Sequence, residues 1–360
     1  MRRIRVVVID DSAYNRRTIS KMLEEMENVE VVGYASNGEE GLRRIIDLRP
    51  DLITLDLEMP RMDGYTMLRI MMSSCPTPTI VISAKSEEEK VFKALELGAV
   101  DFIAKPTTAI SEEIIKIKED LFFKVRNVFT LNVANLRRCN EPAQVHDQGF
   151  SGVILQMPPK PGLHSRFELL AIGSSTGGPT ALKTVFASLP TELPFCVAVS
   201  QHMPPGFTKA FAERLDRLLP FEVIEAQDGD HVRPNRILIA PGGMNMVFQK
   251  VSDGVVARIV EPSPEDRYIP SVDAMFSSLS AIYGLKLLAV VLTGMGNDGS
   301  KGIMSVKAAG GEVLAEAEES AVVFGMPREA IATGVVSSVA PIELMGREIS
   351  LISGLLQYPD

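Results

Sequence analysis

The segment Ile172-Gly173-Ser174-Ser175-Thr176-Gly177-Gly178-Pro179 follows an apolar run and opens a helical pattern. Gly173, Ser175 and Gly177 fit the G-x-S-x-G spacing, whose small flanking residues permit a sharp strand-to-helix turn that lifts a serine hydroxyl outward. The helix N-terminus beneath such a turn favours developing negative charge. The turn alone leaves a nucleophile and a phosphate cradle both open. A serine nucleophile needs a base, and the histidines available are His146, His164, His202 and His231. The first two fall in a stretch without periodic pattern, and His231 lies in the loop Asp228-Gly229-Asp230-His231. His202 follows the apolar run 195–200, which brings it to the same sheet edge as Ser175, so it is the favoured base; the alternative is a cap for the helix expected from about 206. The acid that orients an imidazole and stabilises its protonated form should also leave a strand's carboxyl end. Asp298, in Thr293-Gly294-Met295-Gly296-Asn297-Asp298-Gly299, meets this requirement after the run 287–292. Its rival Asp273 falls in the first turn of a helix expected over 270–283, where an acid merely complements the dipole. Gly294 and Gly296 free the backbone to present the Met295 amide to an oxyanion, unless the loop is simply flexible, with the Thr176 amide as a second candidate donor.

A second set of residues points to metal and phosphoryl chemistry. Asp10 and Asp11, Asp56, Ser83 and Lys105 each stand at or just beyond the end of a β-branched run. In open parallel sheets, ligands bind beyond the carboxyl ends of the strands, so these side chains should gather at one edge. Neighbouring carboxylates do not all ionise cheaply unless a hard cation sits among them, and oxygen ligands suit Mg²⁺. Lys105 would balance a phosphoryl group. Taken singly, Asp10-Asp11 is an ordinary turn and helix cap; the whole set is more specific.

These residues need parallel sheets to position them. Strands are expected over 4–9, 30–34, 51–55, 79–83 and 101–104, alternating with helical patterns and closed by a helix from about Ser111. Strands such as Val6-Val7-Val8-Ile9 lack polar alternation, as in a sheet covered on both faces. Strand signals resume over 168–172, 195–200, 221–226, 236–240, 287–292, 311–315 and 335–339. Runs 245–250 and 255–260, separated by Ser252-Asp253-Gly254, predict an antiparallel hairpin. The fold class is α/β throughout: a five-stranded parallel (βα)5 unit over 1–125, a linker rich in Asn, Gln, Pro and Gly over 126–166, and a doubly wound unit with a mostly parallel sheet and a β-hairpin over 167–360.

At 360 residues two domains are expected. A formal net charge of −9 argues against a nucleic-acid partner. Cys75, Cys139 and Cys196 have neither metal-ligand spacing nor the even count of a disulfide framework, which fits a reducing cytoplasm. The apolar run after Met1-Arg2-Arg3 is too brief for a signal peptide, and no stretch is long enough for membrane insertion, so a soluble cytoplasmic protein is expected.

Residues 1 to about 125, above all Leu55-Asp56-Leu57-Glu58-Met59-Pro60-Arg61-Met62-Asp63-Gly64, resemble the receiver domain of two-component response regulators. The resemblance implies phosphorylation of Asp56 by a histidine kinase, Mg²⁺ held by Asp10, Asp11 and Asp56, and a phosphoryl-sensing hydroxyl at Ser83, where threonine is equally common. From about Glu168 onward, the Ser175 turn, Gln201-His202-Met203-Pro204-Pro205-Gly206-Phe207, Pro270-Ser271-Val272-Asp273, the 293–299 loop and Phe324-Gly325-Met326-Pro327-Arg328-Glu329-Ala330 resemble the chemotaxis protein-glutamate methylesterases. Position by position, that resemblance implies Ser175 as nucleophile, His202 as base, Asp298 as orienting acid and Met295 as an oxyanion amide. It further implies hydrolysis of glutamyl methyl esters on chemoreceptors, deamidation of receptor glutamines, no cofactor at the esterase site, and a receiver that covers the cleft until phosphorylated. Asn245 departs from the histidine carried by many members, which puts contacts at the substrate rim in question.

Three other classes are weighed against this. A DNA-binding regulator would need a basic helix-turn-helix output, whereas strands run throughout the second half. A nucleotide-dependent oxidoreductase would need a third glycine and a ribose-binding acid that the Gly173 turn lacks. A non-catalytic, phosphorylation-dependent receptor adaptor is the strongest alternative, because spacing alone does not bring Ser175, His202 and Asp298 together.

Overall fold

The computed structural model describes residues 2–83, 88–105, 111–126 and 165–356, so the segment expected as a linker lies almost wholly outside the described residues. Strands β1 (Ile4–Ile9), β2 (Val29–Ala35), β3 (Leu52–Asp56), β4 (Thr79–Ser83) and β5 (Asp101–Ala104) form a parallel sheet in the order β2-β1-β3-β4-β5. Helices α1 (Ala13–Glu24), α2 (Gly38–Leu48), α3 (Gly64–Ser74), α4 (Glu88–Glu96) and α5 (Ser111–Arg126) follow the strands in turn. Every residue of β3 and β4 is buried, which is why their sequences show no alternation. Ser12, Asn37 and Asp63 cap α1, α2 and α3 by accepting from backbone amides three residues on, satisfying donors that would otherwise be orphaned.

The second sheet has seven strands, all parallel: β6 (Leu169–Ser174), β7 (Cys196–Gln201), β8 (Glu222–Glu225), β9 (Arg236–Ile239), β12 (Leu287–Val291), β13 (Glu312–Glu316) and β14 (Ser338–Ala340), in the order β14-β13-β12-β6-β7-β9-β8. The hairpin β10 (Asn245–Val251) and β11 (Gly254–Val260) stands apart as a two-stranded antiparallel sheet. Its turn is tighter than the three-residue spacing suggested. Gly254 pairs with Val251 as the first residue of β11 at φ 142°, leaving Ser252-Asp253 as the loop. The β14 strand is shorter than the run 335–339 predicts and begins at Ser338.

The chain enters this sheet at β6, builds outward through β7, then returns to β12 on the other side of β6. That reversal opens a crevice at the carboxyl ends of β6 and β12, the place where doubly wound sheets bind ligands. Helices α6 (Gly178–Ala187), α7 (Phe207–Leu218), α8 (Val272–Tyr283), α9 (Ser300–Ala308), α10 (Met326–Ala332) and α11 (Ile342–Ile352) surround it. One apolar core cluster runs from the first sheet's α4 and β5 into α6 and α7, with Phe92 stacked on Phe211 at 5.4 Å and Phe102 against Phe207 at 4.5 Å.

Gly173 lets α8 approach β6. A Cβ there would lie 2.3 Å from Val272 Cγ1, and Val272 is fully buried at the start of α8. Gly173→Ala is therefore expected to destabilise the protein by about 1–3 kcal/mol through overpacking, read as a lower urea midpoint; an unchanged midpoint would mean that α8 shifts freely.

Candidate active site

Strand β6 ends at Ser174, which is in register with Gln201 at the end of β7, and the His202 amide donates to Ser174 O at 3.0 Å. Ser175 and His202 are thus the next residues on two adjacent parallel strands, whose axes lie about 4.8 Å apart. Gln201 fixes this pair of strand ends. Its Oε1 accepts from Ser174 Oγ at 2.6 Å, and its Nε2 donates to Ser175 O at 2.9 Å and to His202 O at 3.0 Å. After Ser175 the chain turns through Gly177 at φ 79° and enters α6 at Gly178.

Across the crevice, His202 Nε2 lies 2.8 Å from Asp298 Oδ2. The Asp298 carboxylate also accepts from the amides of Val272 at 2.7 Å, Asp273 at 2.9 Å and Gly299 at 3.0 Å. The first two are the opening amides of α8, where unpaired N–H groups and the helix dipole favour an anion. Burial works against ionisation of Asp298, but the His202 bond and charge and these amides outweigh it and hold the carboxyl below its usual range. An ionised carboxylate only accepts, so Nε2 is the protonated nitrogen and Nδ1 keeps the lone pair. Asp273 is close in sequence yet engaged elsewhere: it accepts from Gly302 N at 2.7 Å, and burial pushes its carboxyl up. His231 is half exposed with Asp253 at 3.8 Å, while His146 and His164 lie outside the described residues.

Thr293, the second residue beyond β12, ties the turns together. Its carbonyl accepts from Ser175 N at 3.0 Å, and its Oγ1 donates to Thr176 O at 3.0 Å and accepts from Val323 N at 2.9 Å. The amides of Thr176 and Met295, by contrast, meet no acceptor among the described residues. Both residues are buried. Asn245 is also buried, and it braces α8 instead of facing a rim: Oδ1 accepts from Ser271 N at 2.8 Å, and Nδ2 donates to Asp266 at 2.7 Å.

Sequence reasoning missed Gln201, Thr293 as a tie, and Tyr268. The Tyr268 ring lies parallel to the His202 imidazole at 5.2 Å. Gln201 had a signal, a polar residue closing an otherwise apolar strand beside His202; Tyr268 sits in a polar loop with none.

The first sheet reaches directly into this site. Thr176 Oγ1 donates to Asp101 Oδ2 at the start of β5. Val100 packs with Met295, Val322 and Val323, joined by Phe123, whose ring meets Tyr268 edge-on at 5.9 Å. Glu96 on α4 receives Lys183 and Arg214 at 2.6 Å each. With these contacts in place Ser175 is only 6% exposed.

At the other end of β5, carboxylate oxygens of Asp10, Asp11 and Asp56 lie within 4.8 Å of one another. Lys105 Nζ is 2.6 Å from Asp56 and 3.4 Å from Asp10. Ser83 is buried and follows Ile82, the register partner of Asp56. Burial, with the Asp10 charge adding and Lys105 opposing, pushes the Asp56 carboxyl up to about 6. Asp10 Oδ2 is buried and makes no hydrogen bond among the described residues; its contact is the 3.4 Å ion pair with Lys105. A buried carboxylate oxygen met only by a loosely placed ammonium, beside two further carboxylates, fits a hard, oxygen-loving cation such as Mg²⁺.

Against known proteins, residues 170–349 match the CheB methylesterase family model and residues 6–116 the response regulator receiver domain. Protein-glutamate methylesterase/protein-glutamine glutaminase 3 of Geobacter sulfurreducens is 58% identical over 371 residues, covering 100% of both chains, and the corresponding protein 1 of Myxococcus xanthus is 48% identical over 97% of each. The crystal structure of the Thermotoga maritima CheB methylesterase catalytic domain covers 53% of this chain and 99% of its own, with a TM-score of 0.50 and 39% identity. With both domain models matched in order and such identity along the full length, the chain belongs to the CheB family of protein-glutamate methylesterases/protein-glutamine glutaminases.

Proposed function

We propose that this chain hydrolyses glutamyl methyl esters on methyl-accepting chemoreceptors in chemotaxis adaptation, and deamidates receptor glutamines, under control of phosphorylation at Asp56 by a histidine kinase. Residues 1–125 act as the receiver, 126–166 as the connection and 167–360 as the esterase. The observation that carries the catalytic assignment is the 2.8 Å bond to an ionised Asp298 from Nε2 of His202, which itself follows a strand end in register with the one that leads to Ser175.

In the reaction, Ser175 Oγ attacks the side-chain carbonyl carbon while its proton passes to His202 Nδ1. Asp298 holds the ring and stabilises the imidazolium without taking the proton. The amides of Thr176 and Met295 receive the negative oxygen of the tetrahedral intermediate. Collapse breaks the ester C–O bond, and the His202 proton leaves with methanol. Water then attacks the acyl-serine carbonyl, giving one proton to His202; collapse breaks the bond to Ser175 Oγ, which takes that proton from His202, and the product leaves as glutamic acid and ionises in solvent. With an amide substrate the first leaving group is ammonia.

In the closed arrangement the receiver residues Asp101, Val100 and Phe123 lie against Thr176, Met295 and Tyr268. A receptor helix has no path to Ser175 until they withdraw. The short strand β5 carries Asp101 at one end and leads directly to Lys105 at the other, so the phosphorylation site and the covering contact share one rigid element. Phosphorylation biases that two-state interface toward opening. Asp10, Asp11 and Asp56 would hold Mg²⁺, which when bound neutralises charge around the phosphoryl oxygens. Lys105 pairs with the acceptor oxygen, and Ser83 supplies the hydroxyl that follows the phosphoryl group. No described helix is long and apolar enough to cross a membrane, and the described cysteines Cys75 and Cys196 are free; we place the reaction in the cytoplasm, with receptors as substrate and no nucleic-acid partner.

Two outcomes are expected. Methanol release from methylated receptor membranes requires Ser175 and is lost in Ser175→Ala, while Asp298→Asn lowers kcat by about 10⁴-fold by presenting the wrong tautomer; release that survives Ser175→Ala would leave the adaptor as the better account of this site. The second concerns Asp56. Burial raises its pKa from an ordinary 3.8 to about 6, so its contribution to stability is full below about 3.8 and is lost as pH rises through about 6. In chelator, Asp56→Asn should therefore gain on wild type as pH rises from 4 to 7, by up to about 3 kcal/mol, measured by urea unfolding; a constant difference would contradict the burial of this carboxylate.

A further inference from the structure

Glu316 is a buried acid that the mechanism above does not use. It closes β13 at 1% exposure, and no cationic side chain pairs with it among the described residues. Its Oε2 accepts from Thr293 N at 2.7 Å and its Oε1 from Ser320 Oγ at 2.9 Å. Burial, with the charge of Glu343 adding, pushes this carboxyl up to about 7. Such a group costs stability, and an apolar residue would pack the end of β13 without that cost.

What the carboxyl holds is the root of the oxyanion loop. Thr293 is the residue through which the ends of β6, β12 and β13 meet. It takes the Ser175 amide on its carbonyl, gives its hydroxyl to Thr176 O, takes the Val323 amide on the same hydroxyl, and gives its own amide to Glu316. Gly294, next in the chain, is pinned on both sides: its amide donates to Val323 O, and its carbonyl accepts from Met326 N. Met295 follows directly. Thr176 is therefore one hydrogen bond from Thr293, and Met295 two residues from it. Among the described residues the Thr293 amide donates to Glu316, so removing that acceptor frees the amide by which the end of β13 holds the loop.

We propose that Glu316 is a positioning residue for the hydrolytic reaction, acting through Thr293 to hold the Thr176 and Met295 amides at the spacing an oxyanion needs. The proposal rests on the methylesterase function proposed above. An interaction that matters only once the oxyanion forms should appear in kcat and not in KM.

The test is steady-state methanol release by the full chain, with a small phosphodonor and Mg²⁺ present throughout and thermal unfolding recorded for each variant. Wild-type release that vanishes in Ser175→Ala secures the esterase function first; no wild-type release would end that function and this proposal together. Glu316→Ala should then lower kcat by about 10–100-fold, the scale of a small misplacement of catalytic groups, with KM unchanged. Glu316→Gln keeps a carbonyl acceptor for the Thr293 amide and should restore most of kcat. If the alanine variant does not fold, Glu316→Asp carries the test, because it withdraws the acceptor by one methylene and should lower kcat at unchanged KM. Wild-type kcat in Glu316→Ala or Glu316→Asp would overturn the proposal, as would a Gln variant as impaired as Ala.

Discussion

Ionisation of Asp298 inside a buried crevice is the constraint on which the rest of this structure depends. A neutral carboxyl there would neither fix the His202 tautomer nor stabilise an imidazolium. Burial opposes that ionisation, and it is offset by the two opening amides of α8 together with His202 itself. The position of α8 therefore matters to a proton held on another element. Ser271 caps the helix, Asn245 holds the Ser271 amide, and the missing side chain of Gly173 lets Val272 sit against β6. A residue on the hairpin thus supports, through two hydrogen bonds, an acid on a loop more than fifty residues away in sequence.

The same crevice explains how a receiver can govern an esterase by lying against the turn and loop that would hold the oxyanion. The contacts that cover Ser175 are of two kinds. Apolar packing of Phe92, Phe102 and Phe123 resembles a domain core, while Glu96 with Lys183 and Arg214 is partly exposed and gives the interface direction more than strength. Between them lies Asp101, a carboxylate resting on the turn where the proposed oxyanion would form. Its charge is balanced by Lys124 Nζ at 3.2 Å, so what it brings to the turn is steric cover and an acceptor for the Thr176 hydroxyl.

Much of the fold was legible because its signals are local. Apolar β-branched runs marked the strands of both sheets to within a few residues, and the rule that ligands gather at strand carboxyl ends was enough to place Ser175, His202 and Asp298 at one edge and Asp10, Asp11, Asp56 and Lys105 at another. What was illegible depends on pairing across the chain. Nothing in the pattern says that Gln201 turns inward to clamp two backbones, that Tyr268 lies flat on His202, or that Glu316 finds an amide 23 residues away. Asn245 shows the converse: a departure from a family pattern suggested a changed substrate rim, yet its side chain is spent on bracing a helix. Gly254 was assigned to a turn because glycine usually belongs there, and register with Val251 makes it a strand residue instead.

The central claim is that a complete serine hydrolase site lies ready beneath the receiver and is uncovered by phosphorylation. Its most direct measurement is the rate at which a fluorophosphonate labels Ser175 in the full chain, with and without a small phosphodonor plus Mg²⁺. The account predicts a single label on Ser175 that forms faster with the phosphodonor and not at all in His202→Ala. A serine that stays unlabelled under both conditions, or labels at the same rate in each, would contradict it.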